Sequence, residues 1–124
     1  MPYRLAMTTC PDMGVADAIA CALVEERLAA CVNILPGVRS FYRWKGKICQ
    51  DGEFLLIAKT LEEEFEALAE TIRELHTYDL PEILAFAVTR GSEDFLGWIA
   101  SSVDKSSGVV DDEEDDGVDF PDED

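Results

Sequence analysis

LVEERLAACVNILPGVRSFYRWKGK, residues 23–47, holds a helix end, a long strand and a tight return in unbroken succession. Glu25, Glu26 and Arg27 close an apolar helical pattern. From Ala30 the period becomes two: Val32 and Ile34 alternate with Cys31 and Asn33. Beyond Pro36-Gly37 the alternation resumes, as Val38, Ser40, Tyr42 and Trp44 against Arg39, Phe41 and Arg43. Proline cannot donate to a ladder and glycine tolerates positive φ, so Pro36-Gly37 reads as a bulge that bends the strand. Lys45-Gly46 then turns the chain into a second long run, ending in Phe54-Leu55-Leu56-Ile57-Ala58. Strands usually span about five or six residues, so this hairpin overhangs the sheet of a domain this size. An unpaired edge carrying Phe41, Tyr42 and Trp44 invites aggregation, and pairing with further copies of the chain removes the hazard. The hairpin therefore predicts a symmetric oligomer.

On the N-terminal side, Tyr3 to Thr9 reads as a strand and Pro11-Asp12 as a helix start with Asp12 as N-cap. The helix over 13–27 presents Val15, Ile19, Ala22 and Leu23, with Cys21 placed near the same helix as a small hydrophobe. On the C-terminal side, Thr60-Leu61-Glu62-Glu63 has the spacing of a capping box. Leu61, Phe65, Leu68, Ile72 and Leu75 follow as an apolar stripe. A strand over 82–89 comes next, then a third helix capped by Gly91-Ser92 with Phe95, Leu96, Ile99 and Val103 apolar. Two right-handed crossover units joined by a hairpin give an α+β fold. It is a ferredoxin-like β-α-β-β-α-β sandwich with a long β-hairpin and an extra C-terminal helix.

A chain of 124 residues, 48% hydrophobic, forms one domain with a small core that oligomer burial would supplement. No apolar run of about eighteen residues is present, so membrane insertion is not expected. MPYRLAMTTC is too short and too strand-like for a signal peptide, which predicts a cytoplasmic protein. Cys10, Cys21, Cys31 and Cys49 contain no CxxC spacing and read as reduced. The formal charge of −17 opposes nucleic acid and anionic membranes as partners. Ten of the 27 acids crowd into residues 111–124. Residues 1–103 are read as the folded domain and 104–124 as an acidic, disordered tail, which cannot bury enough surface to offset its ordering entropy. Such a tail would hold Ca²⁺ or Mg²⁺ only as a diffuse atmosphere, since hard cations need a fixed cage of oxygens.

His76 is the single histidine, and the chain has no G-x-S-x-G, P-loop or dinucleotide fingerprint, so no enzyme is predicted. As a residue at a helix C-terminus, His76 suits the helix dipole; as an imidazole it is also a candidate ligand. Copper favours thiolate or imidazole and accepts a carboxylate such as that of Glu82. Cys10 reads either as a buried strand-end thiol or as such a ligand. Tyr78-x-x-Pro81 is a rigid loop, because proline fixes its own φ and pushes Leu80 out of the helical region.

AACVNILPG, FYRW followed by KGK, and HTYDLPEI at residues 76–83 resemble, in that order, the divalent-cation tolerance (CutA) family. The similarity runs from about Tyr3 to Val103. It implies a ferredoxin-like subunit, a tight homotrimer with sheets continued between subunits, a link to tolerance of copper and other divalent metals, no established catalysis and no required cofactor. It also implies a metal site of a first-strand cysteine, a histidine before the loop and the loop's glutamate. Glu82 matches the last and His76 falls near the second. Thr8 aligns with the thiol position, and Cys10, two residues on, keeps the same strand face. The same resemblance implies a cleft of Trp44, Lys59, Tyr78 and Pro81 at or near a subunit boundary, suited to a small anion or polar molecule. Trp44 and Tyr78 also read as plain interface anchors. Two functions follow: a trimeric copper or divalent-metal tolerance protein that binds metal ions weakly, or a PII-like trimer that senses a small anion.

Overall fold

The computed structural model describes residues 2–105. Of the tail read over 104–124, residues 106–124 lie outside them. In chain order the elements are β1 (Tyr3–Cys10), α1 (Met13–Glu25), β2 (Cys31–Trp44), β3 (Lys47–Leu61), α2 (Phe65–Leu75), β4 (Leu84–Ala87) and α3 (Glu93–Ser102). The strands form one antiparallel sheet in the order β2-β3-β1-β4. This is the α+β, ferredoxin-like arrangement that the pattern predicts.

Local chemistry explains each boundary. Asp12 caps α1 by accepting from the Val15 N–H at 2.9 Å. Its end is a Schellman motif: Arg27 N–H bonds the Val24 carbonyl at 3.1 Å, and Leu28 N–H reaches back to Leu23 at 2.9 Å. Arg27 supplies the left-handed residue with φ 59°, so the helix stops at Glu25, two residues short of expectation. Lys45 and Gly46, with φ 51° and 79°, give the two-residue hairpin turn its required positive φ pair. The capping box over Thr60 and Glu63 is not formed. Thr60 belongs to β3, opposite Arg4, and its buried hydroxyl donates to the Leu28 carbonyl at 2.6 Å. A 3-10 turn at Glu62–Glu64 starts the helical segment instead. Ser92 caps α3 as expected, through the Phe95 N–H. β4 is shorter than predicted: the ladder with β1 runs from Leu84 to Ala87, and the Val88 N–H adds one last bond to the Tyr3 carbonyl at 3.0 Å.

Both long helices pack on one face of the sheet. Ala16, Ile19 and Leu23 of α1 and Leu68 and Ile72 of α2 meet Ala6, Cys10, Leu56 and Ala58 in the main core. Cys21, read as a small hydrophobe near this helix, is exposed, and Leu75 leaves the stripe for solvent. The second face differs. At one end Ile99 of α3 and Val103, which follows the helix, cover Leu61 and Tyr3. Elsewhere no helix lies on it among the described residues, and Leu35, Leu84 and Phe86 stand 41%, 52% and 50% exposed. Among the described residues the outer edges of β2 and β4 are unpaired.

Candidate functional site

The bulge foreseen at Pro36-Gly37 aims the hairpin. Leu35 pairs with Leu55 but Val38 pairs with Glu53, so β2 spends one residue more than β3 between these rungs. Gly37 carries the positive φ of 79°. One extra residue exchanges the faces of everything beyond it. Ser40, Tyr42 and Trp44 thereby join Asp51 and Glu53 on the second face of the sheet.

Opposite them runs the 77–82 loop, and His76 sets its course. Imidazole Nε2 lies 2.7 Å from the Thr9 carbonyl, and Nδ1 accepts the Tyr78 N–H at 3.1 Å. These partners assign the ring hydrogen to Nε2. The His76 and Tyr78 rings sit 4.6 Å apart, and the Tyr78 hydroxyl donates to Glu53 Oε2 at 2.6 Å. Hairpin and loop enclose a cavity of about 900 Å³ whose walls include Phe41, Tyr42, Trp44, Glu53, Tyr78 and Glu82. Thr9 forms part of its lining, with Arg39 and Asp79 also contributing.

The electrostatics are those of a negative hollow. Glu53 is only 8% exposed. Burial first, then the Glu53 carboxylate, raise the Glu82 carboxyl above its ordinary range. Tyr78 is raised by burial and by its hydrogen bond to Glu53. Tyr42 is pushed up to about 12, chiefly by its hydrogen bond to Asp51. Each shift records resistance to adding another negative charge.

Three sequence-predicted cleft residues, Trp44, Tyr78 and Pro81, share this cavity, and Glu82 joins them. Within one chain Lys59 does not. It pairs with Cys31, whereas Trp44 pairs with Lys47 at the other end of the hairpin, and at about 3.3 Å per residue those rungs lie roughly 40 Å apart. The Lys59 ammonium instead donates to Asn33. The metal trio is also not assembled. Cys10 is fully buried and its thiol is pushed from 9.0 up to about 11, first by burial, so the thiolate a metal needs is disfavoured. Both nitrogens of His76 serve backbone groups. Among the described residues no three His, Cys, Asp or Glu side chains converge to hold a metal ion. Cys10, His76 and Glu82 thus do not fit a chelate in this arrangement.

Sequence reasoning missed Asp51 and Glu53. The available signal was parity: Glu53 stands an even number of residues before Leu55 and Ile57, hence on their face, and one bulged residue puts Tyr42 and Trp44 there too.

A family model described as CutA1 divalent ion tolerance protein matches residues 4–102. The chain belongs to the CutA1 divalent ion tolerance family. It is 47% identical over 96 residues to a divalent-cation tolerance protein CutA of Thermus thermophilus, covering 77% of this chain and 93% of that one. It is 41% identical over 102 residues to an Arabidopsis thaliana protein CutA named as chloroplastic, covering 82% of this chain and 56% of that one. The chain thus spans little more than half the length of that plant relative. Among solved structures, CutA from Xylella fastidiosa matches at a TM-score of 0.82 with 42% identity, over 84% of this chain and 100% of that one. The Thermus thermophilus structure matches at 0.77 with 46% identity, over 78% and 94%. The family names describe tolerance proteins, not enzymes. No helix among the described residues is long and apolar enough to cross a membrane.

Proposed function

We propose that this CutA-family chain acts as a homotrimer that binds divalent metal ions, copper included, weakly and without catalysis, as part of metal tolerance. The observation that carries the metal reading is Glu53: a buried carboxylate with no ion pair among the described residues, in a hollow also lined by Asp79 and Glu82. Carboxylates held on different elements, without three converging on one point, attract cations but do not cage them. Weak, poorly selective binding is the chemistry of such a wall. The trimer reading rests on the uncovered apolar face and on two unpaired sheet edges, which copies of the chain would cover and pair. His76, tied to backbone at both nitrogens, offers no free base, which supports a non-catalytic role. Four free thiols fit a reducing compartment, and we place the protein in the cytoplasm.

Lys59 lies outside the cleft of its own chain, and Arg39 is set against Glu53, Asp79 and Glu82 on the lining, so the cavity favours the metal reading over the anion-sensing one. Calorimetric titration with Cu²⁺ and with Mg²⁺ tests the metal reading. The expected isotherms saturate with Kd of about 10⁻⁴ M or weaker, and weaken further in Glu53→Gln. Nanomolar copper binding that survives Glu53→Gln would contradict the carboxylate reading.

A further inference from the structure

The two helices on the covered face of the sheet turn different surfaces outward. Along α2 the exposed residues are mainly charged, Glu66, Glu70, Arg73 and Glu74 beside Ala67 and Leu75, as a solvated face should be. Along α1 they are mainly small or apolar. Met13, Ala18, Cys21 and Val24 share one outward stripe by their helical spacing, with Gly14 beside them and only Asp17 and Glu25 as charges. Met13 is 58% and Val24 44% exposed. The trimer proposed above draws on the second face and on the sheet edges, so it leaves this stripe bare. The next question is what chain lies near enough to cover it.

The C-terminal end of the described chain is fastened to α1 itself. The Arg27 guanidinium donates to the Asp104 carbonyl at 3.4 Å, and the Lys105 ammonium donates to the Arg27 carbonyl at 2.9 Å while pairing with Glu64 at 2.8 Å. No basic residue occupies the last turn of α1, and Lys105 brings a positive charge to that end of the helix from 78 residues away. The chain therefore continues from beside the C-terminus of α1. Its next five residues, Ser-Ser-Gly-Val-Val at 106–110, carry no charge and end in two valines, before the acids begin at Asp111. At about 3.3 Å per extended residue, Val109 and Val110 reach roughly 13–17 Å from Lys105. Val24, Cys21 and Ala18 lie about 5–14 Å back from Arg27, at 1.5 Å per residue of helix. We infer that residues 106–110 fold back over α1, with Val109 and Val110 packed on Val24 and Cys21. Asp17 and Glu25 repel the acids that follow, which confines the contact to this uncharged segment. The tether makes a weak contact sufficient, because a short linker holds its end at an effective concentration on the order of millimolar.

Cys21 is a reporter already in place on the stripe. The test measures its rate of modification by uncharged N-ethylmaleimide in the full-length protein, read from the Cys21 peptide by mass spectrometry. Val109→Ser combined with Val110→Ser, at unchanged circular dichroism, should raise that rate about fivefold while leaving buried Cys10 as slow as before. Val24→Gln keeps a good helix former and should raise the rate from the other side of the contact. Joined to the double valine change it should add little, because both remove the same interaction. In the unaltered protein the rate should not change on dilution, since the contact lies within one chain. Equal Cys21 rates with and without Val109 and Val110 overturn the proposal. A rate that rises on dilution would place a second copy on the stripe and overturns it too. So does acceleration by Val118→Ser with Phe120→Ser where the Val109 and Val110 changes have no effect, which would assign the cover to the later segment.

Discussion

The two faces of the sheet are made from the same four strands and do opposite things. Under α1 and α2, Ile19, Leu23, Leu56, Leu68 and Ile72 are at most 2% exposed, and helix and strand periodicities agree about where each points. On the other face Leu35, Leu84 and Phe86 stay about half exposed, and the largest polar investment is a carboxylate beneath a phenol. The first face satisfies itself within one chain. The second is incomplete, and both proposed activities, assembly and cation binding, lie there. Stability and function are thus separable by face, and single substitutions can show whether that division holds.

Leu68→Ala should give the largest loss of stability. It removes a fully buried side chain from the helix-covered core, at a cost of about 2–5 kcal/mol, read by urea unfolding. Phe86→Ala, a larger truncation on the other face, should leave circular dichroism unchanged and lower the assembled mass measured by light scattering. A Phe86→Ala variant that unfolds like Leu68→Ala, or assembles normally, breaks the contrast between the faces.

His76→Ala removes the link between the cleft loop and β1, leaving the Thr9 carbonyl and Tyr78 N–H without their partner. A cost of roughly 1–3 kcal/mol is expected, with faster amide exchange confined to residues 77–82. Unchanged exchange there would show that Pro81 and packing hold the loop alone.

Whether a feature was legible in the sequence depended on whether its cause was local. Asp12, Ser92, the Pro36-Gly37 bulge and the Lys45-Gly46 turn act over two or three residues, and each is where the pattern predicts. Thr60 has the local spacing of a cap, yet pairing with β1 and a hydroxyl bond to Leu28, 32 residues away, take it into the strand. Cys21 reads as a small hydrophobe of α1, yet it is exposed, because the buried positions along that helix are Ala16, Ile19 and Leu23. For the candidate site, Tyr78, Pro81 and Trp44 announce themselves by type. Glu53 does not: an acid in a strand reads as solvated until the register across the bulge and the reach of Tyr78 are known. Lys59 was placed by resemblance, and the length of the hairpin keeps it from the cleft of its own chain.

Smaller effects test the core in detail. The Thr8 hydroxyl is buried without a hydrogen-bond partner among the described residues, so Thr8→Val should be neutral or stabilising by up to about 1 kcal/mol in urea unfolding. A clear loss would reveal a partner for that oxygen. The Cys10 thiol, raised from 9.0 to about 11, ionises less readily folded than unfolded. Its contribution is therefore complete below about pH 9 and is lost as pH climbs toward 11. Cys10→Ala should flatten that alkaline decline, and a slope identical to that of the unaltered protein would contradict the assignment. A thiol reagent at neutral pH should modify exposed Cys21 first and Cys10 only on unfolding.

The division between a self-sufficient face and an incomplete one is tested most directly by multi-angle light scattering of the purified chain at micromolar concentration. One species of about three times 13.7 kDa is expected, persisting in 1 M NaCl because apolar contact and strand pairing, not screened charge, hold it together. A stable, folded species of 13.7 kDa would contradict it.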